Sequence, residues 1–131
     1  YDEAIIEYSK AIDFDTNYVI AINNRGVAKL EKGDIDGAIK DFSEAIRKDA
    51  NYQFAYNNRG IAKYKIEDYQ SALEDFNKAI ELDNNYAIAY LNRGNTKEML
   101  RDMSGACEDW KKAADLGISS AEMYHKQLCN K

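Results

Sequence analysis

Arg25, Arg59 and Arg93 stand at equal intervals along the chain, and so do Asp41, Asp75 and Asp109. An arginine side chain offers a planar fork of donors that suits a carboxylate or a phosphate. Two roles follow. The arginines form a basic ladder for acidic ligands, or each pairs with an Asp on a neighbouring helix and packs its aliphatic stem there. The two series share one interval and nearly match in number, with Glu7 heading the acids. Pairing is therefore the expected role.

The other reactive side chains are few. Cys107, Cys129 and the single His125 cannot complete a tetrahedral zinc site. The two cysteines either form a disulfide, which an exported protein would keep, or stay as reduced thiols, which is the reading favoured here. No Gly-rich phosphate loop, nucleophile elbow or metal-ligand spacing occurs. The carboxylates follow the repeat interval, which marks structure rather than a catalytic site. No enzyme activity, metal or cofactor is expected.

Bulk properties bound the class of protein. The 131 residues suffice for one domain with a core. Apolar residues make up 45% and charged residues 31%, an ordinary globular balance. The net charge of -5 and the pI near 4.9 argue against nucleic acid, which needs clustered Lys and Arg. No apolar run approaches the ~18–20 residues of a membrane span. No signal-peptide pattern is seen, although the first residue, Tyr1, suggests a fragment or a processed product. Cytoplasm is the favoured compartment, with export the alternative if the cysteines are bonded.

The elements that hold these residues repeat every 34 positions. Asn-Arg-Gly occurs at 24–26, 58–60 and 92–94. Ala38, Ala72 and Ala106 form another series, with Ala4 before them. Phe42, Phe76 and Trp110 form a third, after Tyr8, and Ala45, Ala79 and Ala113 a fourth, after Ala11. Within 69–82, the apolar Tyr69, Ala72, Leu73, Phe76, Ala79 and Ile80 make one stripe of an amphipathic helix. Asp34, Asp68 and Asp102 stand where each such helix needs an N-cap. A mid-helix glycine costs about 1 kcal/mol against alanine. Gly26, Gly60 and Gly94 are therefore expected at a close helix–helix approach, with the aromatic filling the space between successive pairs.

These series resemble the tetratricopeptide repeat, a 34-residue helix–turn–helix unit, over essentially the whole chain. The family's small residue matches Gly26, Gly60 and Gly94. Its two alanines match Ala38, Ala72 and Ala106, and Ala45, Ala79 and Ala113. Its later aromatic matches Phe42, Phe76 and Trp110, and its earlier aromatic matches Tyr56 and Tyr90 but not Ile22. The chain departs from the pattern at Arg25, Arg59 and Arg93, where the family has leucine. It departs again at Lys29, Lys63 and Lys97, where the family has tyrosine. The family's proline is replaced by Ala50, Asn84 and Ile118.

The resemblance implies an all-α, right-handed α-solenoid of antiparallel helix pairs, about seven helices in one array. Its expected divisions are a truncated second helix (1–18), repeats at 19–52, 53–86 and 87–118, and a capping helix (119–131) with Tyr124 at the aromatic position. It also implies a concave groove lined by first helices, here Asn23, Asn24, Val27, Phe54, Asn57, Asn58, Ile61, Tyr64, Leu91, Asn92 and Asn95. Ile20, Leu30, Ile88 and Met99 join that surface, with Glu31, Lys65 and Glu98 as its few charges. The asparagines either pair with the backbone of an extended peptide, or are solvated polar positions, or bond to a neighbouring helix. A groove this apolar points to an apolar or amphipathic peptide.

A subgroup of the family clamps chaperone-tail carboxylates with Lys, Arg and Asn. The matching positions here are Asn23, Val27, Asn58, Ile88 and Asn92, and only Asn58 fits, so that role is not expected. The expected function is a protein-interaction module of unstated partner. The alternative is a self-assembly unit that pairs through the N-terminal half-repeat.

Overall fold

The computed structural model describes Ile5 and residues 18–129. Among the described residues there are seven α-helices and no strand: α1 (Val19–Lys32), α2 (Ile35–Lys48), α3 (Gln53–Lys65), α4 (Tyr69–Leu82), α5 (Ala87–Met99), α6 (Met103–Asp115) and α7 (Ser119–Cys129). Each helix packs on the next in the chain, and α1, α3 and α5 also touch in series, which makes a solenoid. The leading helix expected at 1–18, and the assembly surface placed on it, fall almost wholly outside the described residues.

The tight turns inside each pair come from one short motif. Asp34, Asp68 and Asp102 send their backbone N–H groups back to the carbonyls of Lys29, Lys63 and Lys97 at 2.8, 2.9 and 2.8 Å, closing the helix before. Their carboxylates accept from the N–H groups of Gly37, Ser71 and Gly105, opening the helix after. The residue just before each Asp is left-handed: Gly33 at φ 97°, Glu67 at 64° and Arg101 at 65°. Only the first of these lacks a Cβ to strain.

Packing within a pair is set by glycine against an aromatic ring. A Cβ added at Gly26 or Gly60 would lie 2.6 Å from Cε1 of Phe42 or Phe76, and one at Gly94 would lie 2.8 Å from Trp110. The aromatic therefore seats on the glycine of its own pair, rather than only filling the space between pairs. Phe42 also clusters with Ala62 of the following pair, so one ring joins both interfaces. Ala38, Ala45, Ala72, Ala79, Ala106 and Ala113 are fully buried. Tyr56 and Tyr90 donate their hydroxyls to the carbonyls of Ala50 and Asn84 in the links between pairs.

The last helix departs from the interval. α7 begins at Ser119, two residues ahead of the 34-residue spacing from the start of α5 at Ala87. Tyr124 is thereby carried off the aromatic position expected for it. Its ring is half-buried against Trp110, with centroids 5.6 Å apart. Cys107 of α6 and Cys129 of α7 are joined as a disulfide, with Cα atoms 5.8 Å apart. This corrects the expectation of two reduced thiols: the helix pairing brings both Cβ atoms within bonding reach.

Candidate functional site

The first helices α1, α3 and α5 present one shared face, and its amides form a chain. Asn58 donates from Nδ2 to Oδ1 of Asn23 at 3.1 Å, and Asn92 does the same to Asn57 at 3.0 Å. Asn23 and Asn57 are buried, so their oxygens need these donors. The bonds orient Asn58 and Asn92: their nitrogens point to the preceding repeat. Their own carbonyl oxygens have no partner among the described residues, and neither has the side chain of Asn24.

Asn95 is oriented differently. The indole nitrogen of Trp110, which can only donate, donates to its Oδ1 at 3.0 Å. Its amide NH₂ is therefore turned away from Trp110. Asn92 and Asn95 border a small cleft of about 60 Å³ with Ile61, Tyr64 and Phe76. A second cleft, about 250 Å³, follows along the same face. It is lined by Tyr64, Asn95, Glu98, Trp110, Tyr124 and Leu128. Tyr64 is common to both. Burial pushes its hydroxyl above its ordinary pKa, helped by the negative charge of nearby groups, Glu98 among them.

Apolar side chains lie open beside the amides. Ile20, Phe54 and Ile88 recur at the repeat interval and are 59%, 43% and 38% exposed. Phe54 sits between Tyr52 and Tyr86, each ring centroid 5.4 Å away and edge-on. Burial raises the Tyr86 hydroxyl to about 12 against a smaller, opposing hydrogen bond with Asn57. Val27 packs with Phe42 and Ala62, and Leu91 with the Trp110 cluster, so both are part of the core as well as of this face.

The arginines lie on neither cleft. Each grips an Asp of its own pair through two bonds: Arg25–Asp41 at 2.9 and 2.6 Å, Arg59–Asp75 at 2.8 and 2.8 Å, Arg93–Asp109 at 2.8 and 2.7 Å. Lys29, Lys63 and Lys97 reach the same carboxylates at 3.1, 3.0 and 3.0 Å. Arg59 and Arg93 also reach the preceding pair, at Ser43 and Asn77, and lie over the Tyr56 and Tyr90 rings. The hydrogen bonds to Asp75 and Asp109 hold these guanidiniums above their usual range.

Several members of this surface were not anticipated. Lys29, Lys63 and Lys97 depart from the family pattern, and the structure shows that they complete a three-residue cluster with each Arg and Asp. Tyr18, Tyr52 and Tyr86 share the 34-residue interval, a signal that was open to inspection. Tyr124 and Leu128 join the second cleft because α7 starts at Ser119, two residues ahead of the 34-residue interval, which moves Tyr124 off the aromatic position expected for it. Among the described residues no group of metal-ligating side chains occurs, and no helix is long and apolar enough to cross a membrane.

Comparison with known proteins places the chain among repeat proteins. Residues 54–86 match the tetratricopeptide repeat profile, and residues 28–67 match a second profile described as a TPR repeat. No curated protein sequence matches the chain. Among solved structures, the crystal structure of MamA superposes with a TM-score of 0.87 at 25% identity, covering 97% of this chain and 75% of that one. The second TPR of Spaghetti (RPAP3), bound to the HSP90 peptide SRMEEVD, gives 0.73 at 28% identity over 75% and 91%. The Arabidopsis OM64 TPR domain gives 0.81 at 27% identity over 84% and 93%.

Proposed function

We propose, from the premise that this chain belongs to the tetratricopeptide repeat family, that its protein-interaction surface takes an extended, largely uncharged peptide segment along α1, α3 and α5. The supporting observation is the amide chain. Asn58 and Asn92 are locked by their nitrogens and present carbonyl oxygens one repeat apart. An extended peptide offers backbone N–H groups to such acceptors in any sequence. The exposed row of Ile20, Phe54 and Ile88 would then cover apolar ligand side chains, removing surface that is otherwise left in water.

The reading excludes a carboxylate-tail ligand. The second TPR of Spaghetti was solved with an HSP90 peptide, but here Val27 and Ile88 stand where cationic or amide clamp side chains would be needed. Arg25, Arg59, Arg93, Lys29, Lys63 and Lys97 are already committed to Asp41, Asp75 and Asp109, and Lys65 is the cation that the groove itself carries. The Cys107–Cys129 bond favours an oxidising compartment for this activity.

Two titrations test the proposal. The peptide SRMEEVD is expected to give no saturable binding, and saturable binding would overturn the exclusion. Peptides selected from a random display library should bind equally well with their C-termini free or amidated, and should lose affinity to the Phe54→Ala and Tyr64→Ala variants. Selected peptides that ignore both substitutions would remove the face from consideration.

A further inference from the structure

We infer that the second cleft, between Tyr64, Glu98 and Tyr124, is a socket for one cationic side chain, a lysine or arginine of the bound partner. The inference rests on the peptide reading only for the chain that would carry this side chain.

The cleft has the parts that recognise a cation. Tyr64 of α3 and Tyr124 of α7 are half-buried walls whose ring faces carry negative partial charge. Glu98 of α5 lies on the rim, exposed, and makes no ion pair among the described residues. Its neighbour Lys97 is bound to Asp109 on the other side of α5. Asn95 is neutral, and its oxygen already accepts from Trp110. Leu128 supplies an apolar surface for the alkyl stem of the guest. At about 250 Å³ the cleft is several times the size of its neighbour at Asn92. The whole chain carries a net charge of -5, which adds attraction for a basic partner.

The wall from α7 is fixed. The disulfide holds its last turn to α6, one residue beyond Leu128, and Tyr124 rests on the buried Trp110. A socket whose walls are pre-set loses little freedom when a guest enters. The early start of α7 creates it, because at the strict 34-residue spacing Tyr124 would match the buried Tyr56 and Tyr90.

The probes are three blocked single residues: N-acetyl-lysine methylamide, its arginine counterpart and the neutral N-acetyl-norleucine methylamide. Each is titrated into the oxidised protein while amide NMR signals are followed. Both cationic probes should shift Glu98, the Asn95 side chain and Tyr124 saturably, and 0.5 M salt should weaken them. Glu98→Gln, an exposed change, should reduce their affinity about threefold or more, the scale of a partly exposed ion pair. The inference fails if norleucine shifts the same signals equally, or if Glu98→Gln leaves the cationic probes unaffected. These probes are too short to occupy the amide chain. Failure here with retained binding of library peptides would therefore leave the groove reading standing.

Discussion

The Arg93 guanidinium meets the Asp109 carboxylate edge to edge, two N–H···O bonds of 2.8 and 2.7 Å joining α5 to α6. Asp109 is 3% exposed, and Lys97 closes its remaining side. Removing the acid strands two cations at a helix interface. Asp109→Ala is expected to destabilise by about 3 kcal/mol. The double variant Arg93→Met/Asp109→Leu should lose less, since apolar groups then replace the Arg93–Asp109 pair and only Lys97 is left without its acid. Urea unfolding of both variants compares the losses, and equal losses would show that the pair's removal, not the unpaired charge, sets the cost.

The glycine seats give a second prediction. Gly60→Ala would gain about 1 kcal/mol of helix propensity in isolation. Its Cβ, however, would stand 2.6 Å from Cε1 of Phe76, a buried ring. Overpacking should win, with a net loss of about 2 kcal/mol. Adding Phe76→Leu should recover part of that loss despite removing core surface. Thermal melts decide it, and an undiminished Tm for Gly60→Ala alone would contradict the packing account.

The left-handed turn residues act in the opposite direction. Glu67 and Arg101 hold φ values of 64° and 65° where the first repeat has Gly33. Glu67→Gly should stabilise by about 1 kcal/mol, the size of a left-handed backbone penalty for a residue with a Cβ. Gly33→Ala should destabilise by a similar amount, although nothing crowds its Cβ. Denaturation midpoints of opposite sign in these two variants are the expected result.

Stability should also fall in alkali through Tyr86. Its folded pKa of about 12 lies above the ordinary value near 10.0, because burial disfavours the phenolate. The stabilisation is complete below pH 10, declines as the unfolded chain ionises first, and is gone above about pH 12. The full rise from 10.0 to about 12 corresponds to about 2.7 kcal/mol, and solvent screening of the partly exposed ring reduces the Tyr86 share of the decline to about 2 kcal/mol. Tyr86→Phe should flatten the decline by that amount in unfolding experiments between these limits, and absorbance titration of the folded protein should lose one tyrosine that ionises well above the ordinary range.

What the sequence disclosed was whatever repeats locally. The intervals among Gly26, Gly60 and Gly94, and among Phe42, Phe76 and Trp110, suffice to name the helix pairs, because each contact recurs in identical surroundings. The Arg and Asp series share a register and so suggested a pairing that the structure shows in atomic detail. Lys29, Lys63 and Lys97 were as regular, but a lysine at a pattern's tyrosine reads as loss until its reach to Asp41, Asp75 and Asp109 is seen. The Asn23–Asn58 and Asn57–Asn92 bonds depend on how one pair is rotated against the next, which no spacing encodes. The last repeat, 87–118, is two residues short already in the sequence divisions, but its effect, carrying Tyr124 off the aromatic position into the second cleft, shows only in the packing of α7.

The bond between Cys107 and Cys129 also alters how the molecule answers to tension. A pull applied beyond Cys129 crosses the sulfur bridge and enters the backbone at Cys107, inside α6. The segment between the two cysteines carries none of that load. α7 cannot be peeled away from α6, and Tyr124 and Leu128 keep their places while the strain falls on the seating of α6 against α5. With the bridge reduced, the same pull would strip α7 first, so the order in which layers part is set by two sulfur atoms.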